Sequence, residues 1–351
     1  MSQIPNCIIN INKPKGRTSH DIVYFVRRLL GMKKVGHTGT LDPDATGVLP
    51  ICVGKATRAA ELLTSADKGY RATFLLGITT DTLDMSGEIV SQTTDFVVTE
   101  EAVRAVIAGF VGEQTQIPPM YSAIKVGGKK LYELAREGIE IERKERQIII
   151  ESIEILEIDL HNKITVNLSS VNRENDLHNN VIVNSLDENL DKGLHNEIMV
   201  NQTEILAPKI VIDVKCSKGT YIRTLCADIG EKLGVGATMS ELVRTQSGRF
   251  CIEDSYTLEA LEQAKADGSL HNCLTPLADL FEEYSDIVIP EKYEALVKNG
   301  GAPNIKGLSV ANERNLSPKD GETYRVFSEN GEFLSLSIVR DERLWLLKNF
   351  V

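Results

Sequence analysis

The chain lacks any apolar run of about 18 residues, although 42% of its 351 residues are hydrophobic. A helix that crosses a bilayer needs about 20 consecutive apolar residues, so the sequence predicts no membrane-spanning segment. The first residues, MSQIPNCIININKPKG, contain no apolar stretch like that of a signal peptide. We therefore expect a globular, cytoplasmic protein without a membrane partner.

The sequence also lacks the spacings that metal centres and nucleotide cofactors require. Its six cysteines form no C-x-x-C pair, so reduced thiols and no metal site are expected. No motif for a nicotinamide or a flavin is present, and no Walker-type lysine follows a glycine-rich loop. The sequence therefore predicts neither a metal nor a nucleotide cofactor.

The chain as a whole lacks an excess of positive charge, since its net charge is −11. Residues 1–60 differ, because they carry nine Lys or Arg against three Asp, a local net charge of +6. Local patches decide contact with phosphates, so a basic face on an acidic protein would still bind RNA with salt-sensitive affinity. The alternative is an ordinary solvated surface, which charge alone does not exclude.

Hydrophobic periodicity predicts helices and strands without strict alternation. Apolar spacing, caps and turns predict helices from Ser19 to Gly31, from Thr99 to about Phe110 and from Thr220 to Gly234, with Ser19 and Thr220 as N-caps of the first and third. Strands are predicted at 69–77, 148–156 and 209–216. This mixture favours an α+β fold, with helices flanking a sheet, over a doubly wound fold.

Residues 159–209 contain a 17-residue repeat in three copies, beginning at Asp159, Asp176 and Gly193. Each copy has Leu-His-Asn directly after its first residue, which spaces three histidines evenly, namely His161, His178 and His195. A metal site is conceivable, but no Cys or nearby carboxylate pattern supports it. The favoured interpretation is a solvated or partly disordered insertion between two strands.

The densest motif is KKVGHTGTLDPDATGVLPICVGKATR, from Lys33 to Arg58. It places one carboxylate, Asp42, in a loop rich in glycine, which lets the backbone approach a bound partner closely. Cationic residues border the loop, so the acid is suited to work on a polyanion. A purely structural alternative exists, because Asp-Pro is a common turn element.

Four further segments contain residues suited to nucleobase chemistry. They are Lys68-Gly-Tyr70, the stretch from Ile117 to Arg136, the stretch from Cys216 through Tyr221 and Arg223, and ELVRTQSGRF with Leu242 and Arg244. An enzyme that works on a base must take it out of its stack, and an aromatic face then returns about 1–3 kcal/mol per base. Each segment alone has an ordinary structural interpretation, such as a core aromatic residue, a helix start or a surface arginine. Asp81 and Asp84 are interpreted as turn and cap residues, since no third metal ligand is evident.

Together, these segments resemble the TruB-type (bacterial-like) tRNA pseudouridine-55 synthases. The resemblance implies that Asp42 is catalytic, that Arg223 is its ionic partner and that Tyr221 lies beside the reacting ring. It further implies five substrate-binding residues: Tyr70 stacking on the uracil, His37 inserting into the T loop, Leu242 packing beside the base, and Lys13 and Arg244. An arginine within about 4–6 Å would keep the aspartate ionised near neutral pH.

The resemblance also implies the architecture. We expect the pseudouridine synthase fold, a mixed and largely antiparallel sheet flanked by helices, in a catalytic domain of residues 1–285. The repeat at about 159–208 would be an insertion in it. Residues 286–351 would form a small β-rich, PUA-like accessory domain.

The expected reaction is isomerisation of uridine 55 in the tRNA T arm, by base flipping and an Asp-dependent break and re-formation of the glycosidic bond. No cofactor and no metal are implied, and a monomer is expected. One alternative is a non-catalytic tRNA-binding or tRNA-folding factor on the same scaffold. Another is a phosphohydrolase, which would need a metal-carboxylate cluster or a Walker-type lysine.

Overall fold

A computed structural model describes residues 6–94, 96–168, 201–306, 308–311 and 317–351. The chain separates into two compact units. The first unit comprises Met1–Ser65 and Arg249–Val351, and the second comprises Ala66–Gly248. These units do not test the domain boundary that the sequence predicts between residues 285 and 286, which stays a prediction.

The α-helices of the described residues are α1 (Ser19–Leu30), α2 (Ala60–Thr64), α3 (Glu100–Ala108), α4 (Leu131–Arg136), α5 (Ile222–Lys232), α6 (Leu258–Ala266) and α7 (Glu291–Lys298). The strands are β1 (Cys7–Lys13), β2 (Val35–His37), β3 (Thr46–Val53), β4 (Lys68–Leu76), β5 (Ile78–Thr80), β6 (Ile89–Gln92), β7 (Gly112–Gln116), β8 (Lys125–Val126), β9 (Lys129–Lys130), β10 (Arg146–Asp159), β11 (Lys163–Leu168), β12 (Asn201–Leu206), β13 (Lys209–Cys216), β14 (Ala237–Ser247), β15 (Phe250–Cys251), β16 (Thr275–Pro276), β17 (Ser285–Ile289), β18 (Thr323–Ser328), β19 (Phe333–Arg340) and β20 (Arg343–Asn349). Three short 3-10 helices lie at Gly54–Ala59, Leu270–Cys273 and Leu277–Phe281.

The described residues of the first unit contribute strands to two sheets. In one, β1 pairs antiparallel with both β16 and β3, and β3 also pairs with β2. In the other, the order is β17-β18-β19-β20, and only the β17–β18 pair is parallel. Phe333 of the second sheet packs with Phe281 and Phe350 in the core that also contains residues of β1 and β3. The strands β17–β20 confirm the β-rich C-terminal region.

The second unit is built on antiparallel strands in the order β14-β4-β13-β10-β7. The helix α5 packs on β14 and β4, while α3 packs on β10. Alternating burial along β13 explains this arrangement, because Ile210, Ile212 and Val214 point into the core and the residues between them are more exposed. The predominance of antiparallel pairs and flanking helices in each unit agrees with the predicted α+β class.

The helix α1 begins one residue earlier than its predicted cap implies. Thr18, not Ser19, is the N-cap, since its hydroxyl accepts from the Asp21 N–H and the Asp21 carboxylate accepts from the Thr18 N–H in return. The predicted end is confirmed, because Gly31 takes the left-handed conformation at φ 67°. The Ser19 hydroxyl instead bonds to the Leu41 backbone, as described below.

The predicted cap of α5 is also wrong by one residue. Tyr221, not Thr220, occupies the N-cap position, and it makes no side-chain cap bond. The Thr220 hydroxyl instead donates to the Ser217 carbonyl, which tightens the turn before the helix. The predicted strand at 209–216 is confirmed without a shift.

The free energy of unfolding should depend on pH through Asp228, a carboxyl group on α5. Burial, and next the charge of Glu231, raise the pKa of Asp228 from 3.8 to about 6. Between about pH 4 and pH 6 the carboxyl is therefore protonated in the folded state and ionised in the unfolded state. The stability that this group contributes to the fold is present below pH 4 and is lost as the pH rises through 6. We expect Asp228→Asn to raise the free energy of unfolding at pH 7.5 by about 2 kcal/mol, allowing for solvent screening.

Urea unfolding at pH 4 and pH 7.5 measures this effect. The advantage of Asp228→Asn should be mostly lost at pH 4, where the wild-type carboxyl is protonated in the folded state and partly protonated in the unfolded state. Glu231→Gln should give a smaller gain of the same sign, because its charge is the lesser cause. An equal gain for Asp228→Asn at both pH values would contradict the assignment.

The repeat is described only at its two ends. β11 lies in the first copy and β12 in the third, and they pair antiparallel from Lys163 opposite Leu206 to Leu168 opposite Asn201. His161 is exposed, whereas His178 and His195 lie outside the described residues. The predicted nature of the insertion therefore stays a prediction.

All six cysteines lie in the described part of the chain and are free thiols, as expected. Within that part, no helix is long and apolar enough to cross a membrane.

Candidate active site

Asp42 lies in the connection between β2 and β3, residues 38–45, here called the Asp42 loop. Its carbonyl oxygen accepts from the Ala45 N–H at 3.2 Å, which closes a β-turn with Pro43 in second place. The φ angles of Gly39 (128°) and Gly47 (98°) are disfavoured for other residues, so glycine is needed on both sides of the turn. The main chain of Asp42 thus makes the turn that Asp-Pro predicts, and its side chain is half-buried.

The Ser19 hydroxyl holds the residue immediately before Asp42. Its Oγ accepts from the Leu41 N–H at 2.8 Å and donates to the Leu41 carbonyl at 3.2 Å. Ser19 is 3% exposed, so water does not readily replace it there. This contact fixes the direction in which the chain enters the turn, and sequence reasoning missed it because Ser19 resembled a helix cap.

Lys13 holds the residue immediately after Asp42. Lys13 ends β1 opposite Gly47, and its fully buried ammonium donates to the carbonyls of Pro14 (3.0 Å), Arg17 (2.6 Å) and Pro43 (2.9 Å). The Gly16 N–H donates to the same Pro43 carbonyl. A buried charge needs such partners, so this lysine ties the Asp42 loop to the end of β1. Its predicted substrate-binding role stays a prediction.

Removal of the Ser19 hydroxyl should loosen the Asp42 loop. Ser19→Ala leaves two buried backbone groups of Leu41 unpartnered, at a cost of about 2 kcal/mol in the free energy of unfolding. We also expect about a tenfold fall in the rate of any reaction that depends on Asp42, since a small misplacement of a reacting group is costly. Urea unfolding and single-turnover kinetics measure the two effects.

Ser269→Ala is the matched control in the same unit, because the Ser269 hydroxyl only donates to the nearby Asp267 carboxylate. It should leave the rate unchanged. Wild-type kinetics in Ser19→Ala would show that the contact with Leu41 does not position Asp42.

His37 ends β2, where it lies opposite Ile51 of β3. Its side chain is half-buried, and the Asp42 loop begins at the next residue. The predicted insertion of His37 into a T loop stays a prediction.

Three predicted substrate-binding residues of the second unit share one face of the β4–β14 pair. Tyr70 lies opposite Arg244, and Ala72 lies opposite Leu242, with no register shift between the two pairs. Alternate residues of a strand point to one face, so the side chains of Tyr70, Leu242 and Arg244 are neighbours. The structure thus brings Tyr70 next to two residues that lie 172 and 174 positions further along the sequence. They form an aromatic, an aliphatic and a cationic group side by side.

This face is electrostatically unusual. Arg244 is 1% exposed, and burial lowers its pKa, while a hydrogen bond with the Tyr70 side chain favours its charged form. Burial, followed by the positive charge of Arg244, lowers the pKa of the neighbouring Lys68 to about 8. Two buried cationic side chains therefore lie on the same face of the β4–β14 pair as Tyr70, where they would favour an anionic or electron-rich ligand.

Arg223 lies in the first turn of α5 and is 6% exposed. Its guanidinium donates to the Tyr121 carbonyl at 2.8 Å, to the Thr82 carbonyl at 3.1 Å and to the Asp84 carboxylate at 3.2 Å. Three acceptors from two distant segments therefore fix its planar fork. The predicted pairing of Arg223 with Asp42 stays a prediction.

Asp84 has a role that sequence reasoning missed. As predicted, it is a turn residue, since its Oδ1 accepts from the Ser86 N–H and from the Thr82 hydroxyl. Its other oxygen forms the ion pair with Arg223, and only 17% of its side chain is exposed. No local signal marks this contact, because the two residues are 139 positions apart.

Tyr221 precedes α5, and its side chain is half-buried. Its backbone N–H and carbonyl both bond to the side-chain amide of Gln116. The described residues contain no group of three or more His, Cys, Asp or Glu side chains that could hold a metal ion.

Two family models match the chain. Residues 27–173 match the N-terminal domain of the TruB family pseudouridylate synthases, and residues 223–282 match the C-terminal domain of tRNA pseudouridylate synthase B. The Asp42 loop and Tyr70 lie within the first match, and Arg223, Leu242 and Arg244 lie within the second.

Comparisons over most of the chain agree with these matches. The tRNA pseudouridine synthase B of Alkaliphilus oremlandii is 40% identical over 337 residues, which cover 96% of this chain and 94% of that protein. The tRNA pseudouridine synthase B of Geobacillus thermodenitrificans is 43% identical over 294 residues, which cover 84% of each chain. Among solved structures, a Cbf5-Nop10-Gar1 complex contains a chain with 26% identity and a TM-score of 0.61, over 99% of this chain and 85% of that one. The predicted family and fold class are thus confirmed, and the chain belongs to the TruB family of pseudouridylate synthases.

Proposed function

We propose that this protein is a tRNA pseudouridine synthase that converts uridine 55 of the T arm to pseudouridine. The observation that carries the proposal is 40% identity, over 96% of the chain, to a protein named tRNA pseudouridine synthase B. The reaction class, an isomerisation of uridine in RNA, follows from membership of the family. The T-arm position and the roles of individual residues are part of the proposal.

The reaction is balanced without an added reactant. The bond between N1 of uracil and C1′ of ribose breaks, the detached base turns, and C5 bonds to C1′. The C5 proton is lost, and N1 ends with a proton. The protein must therefore hold a loose base, keep water from C1′ and move one proton.

Asp42 is the group that starts the reaction, either by attack on the sugar or ring or by removal of a sugar proton. The Asp42 loop supports this role, since Ser19 and Lys13 hold the residues on either side of the acid. A fixed carboxylate loses less freedom on reaching the transition state than a mobile one.

Tyr70, Leu242 and Arg244 receive the flipped base. Stacking on Tyr70 offsets part of the cost of unstacking in the RNA. Leu242 supplies an apolar wall that excludes water from the detached base. Arg244 orients the Tyr70 hydroxyl through their hydrogen bond and places a positive charge beside it.

Tyr221 lies beside the reacting ring and assists removal of the C5 proton. Arg223, held by Asp84 and two carbonyls, presents a fixed positive charge near the start of α5. A guanidinium stays protonated at all working pH values, so it stabilises negative charge without taking part in proton transfer.

Incubation with an unmodified tRNA transcript, followed by site-resolved mapping of pseudouridine, tests the proposal. We expect one pseudouridine, at position 55, and none in a transcript with cytidine at that position. Tight binding to the transcript without product would favour the non-catalytic binding factor. Product at another position would show that a uridine other than 55 is the substrate.

A further inference from the structure

Gln116 is the last residue of β7, at the edge of the second unit's sheet, and only 4% of it is exposed. Its side-chain oxygen accepts from the Tyr221 N–H at 2.8 Å, and its side-chain NH₂ donates to the Tyr221 carbonyl at 3.0 Å. A primary amide thus binds both polar backbone groups of a single residue. The two residues are 105 positions apart, so folding alone brings them together.

The contact acts on the residue at the N-cap position of α5. Tyr221 has φ −98° and ψ 107°, an extended conformation directly before α5, and it makes no side-chain cap bond of its own. Two bonds to the N–H and carbonyl of one residue restrain both of its backbone dihedral angles. The direction of the Cα–Cβ bond, and hence the path of the Tyr221 ring, is then set by Gln116.

We infer that Gln116 is a positioning residue for Tyr221, a role that rests on the proposed function. It touches neither the base nor the sugar in this account and acts through the Tyr221 backbone alone. Gln116 itself is buried and its contact with that backbone is partly buried, so water does not readily replace the amide.

Arg223 should be less affected than Tyr221 by a change at Gln116. Arg223 lies two residues further along α5 and keeps its own bonds to Asp84, Thr82 and Tyr121. None of these bonds involves Gln116. The expected defect therefore concerns the step that Tyr221 serves.

Gln116→Met removes both hydrogen bonds at nearly constant size. With the full-length protein and unmodified tRNA transcript, we expect the single-turnover rate constant to fall about 10- to 100-fold. The Kd for the transcript should stay within about threefold, since no RNA contact is removed. Gln147→Met is the matched control on neighbouring β10, because the Gln147 amide donates only to the exposed Thr115 hydroxyl. It should keep the wild-type rate.

Gln116→Glu supplies a second and sharper readout. A protonated carboxyl can accept one hydrogen bond and donate another, as the amide does. A carboxylate cannot donate, so one of its oxygens would face the Tyr221 carbonyl oxygen without a hydrogen bond. Burial favours the protonated form. The rate of Gln116→Glu relative to wild type should therefore rise at least about fivefold from pH 8 to pH 5.5, as the carboxyl is protonated. The corresponding ratio for Gln116→Met should stay flat.

These outcomes separate the inference from the proposed function. Absence of product from the wild-type protein would refute the proposed function. An active wild type together with a folded Gln116→Met variant within twofold of its rate would overturn the inference. If Gln116→Met does not fold, the pH ratio of Gln116→Glu decides, and a flat ratio or loss of fold in both variants would also overturn it.

Discussion

Asp42→Asn should lower the single-turnover rate of pseudouridine formation by at least about 10⁴-fold, because it removes the group that starts the reaction. The substitution keeps the size of the side chain. It also keeps the turn, since the bond from the Ala45 N–H goes to the Asp42 backbone carbonyl. The Kd for unmodified tRNA should stay within about threefold, because the residues proposed to bind the base are untouched.

Asp44→Asn is the matched control for Asp42→Asn. Asp44 is an exposed acid in the same loop, two residues further on, and its loss changes the local charge by the same amount. It should retain the wild-type rate. An equal loss in both variants would show that the charge of the loop, not the carboxylate of Asp42, matters for the reaction.

Arg223→Lys should give the second-largest effect, a fall in rate of about 10²-fold or more. The side chain keeps its positive charge but loses the planar fork that reaches the Tyr121 carbonyl, the Thr82 carbonyl and Asp84. A single ammonium does not reproduce that geometry, so at least one buried acceptor loses its partner. We expect the free energy of unfolding to fall by about 1–3 kcal/mol as a result.

Arg71→Lys is the control for Arg223→Lys. Arg71 also binds an aspartate, since its guanidinium bonds to both oxygens of Asp213 across β4 and β13, but half of its side chain is exposed. An exposed ion pair contributes about 0–1 kcal/mol, so rate and stability should change little. A wild-type rate in Arg223→Lys would show that the shape of the guanidinium is not used.

Local patterns predicted the elements that bear the site but not the contacts that fix it. The helix α1 and the strand β13 follow from apolar spacing, capping residues and alternation, all of which act within a few residues. The residues proposed for chemistry were found because dense motifs resemble a known family. Neither source of information describes which buried polar groups meet after folding.

The missed contacts share one physical cause. The bonds of Gln116 to Tyr221, of Asp84 to Arg223 and of Ser19 to Leu41 join segments that are distant in sequence or belong to different elements. Each residue has a plausible local role as a strand end, a turn or a cap, and that local role concealed the tertiary one. The shifted caps of α1 and α5 have the same origin, since Ser19 and Tyr221 take part in tertiary bonds.

Mapping of pseudouridine in tRNA from cells that lack this protein is the most direct test of the account. Complementation with the wild-type chain should restore pseudouridine at position 55, whereas Asp42→Asn expressed at the same level should leave uridine there. Restoration of the modification by Asp42→Asn, or an unmodified position 55 after complementation with the wild type, would contradict the account.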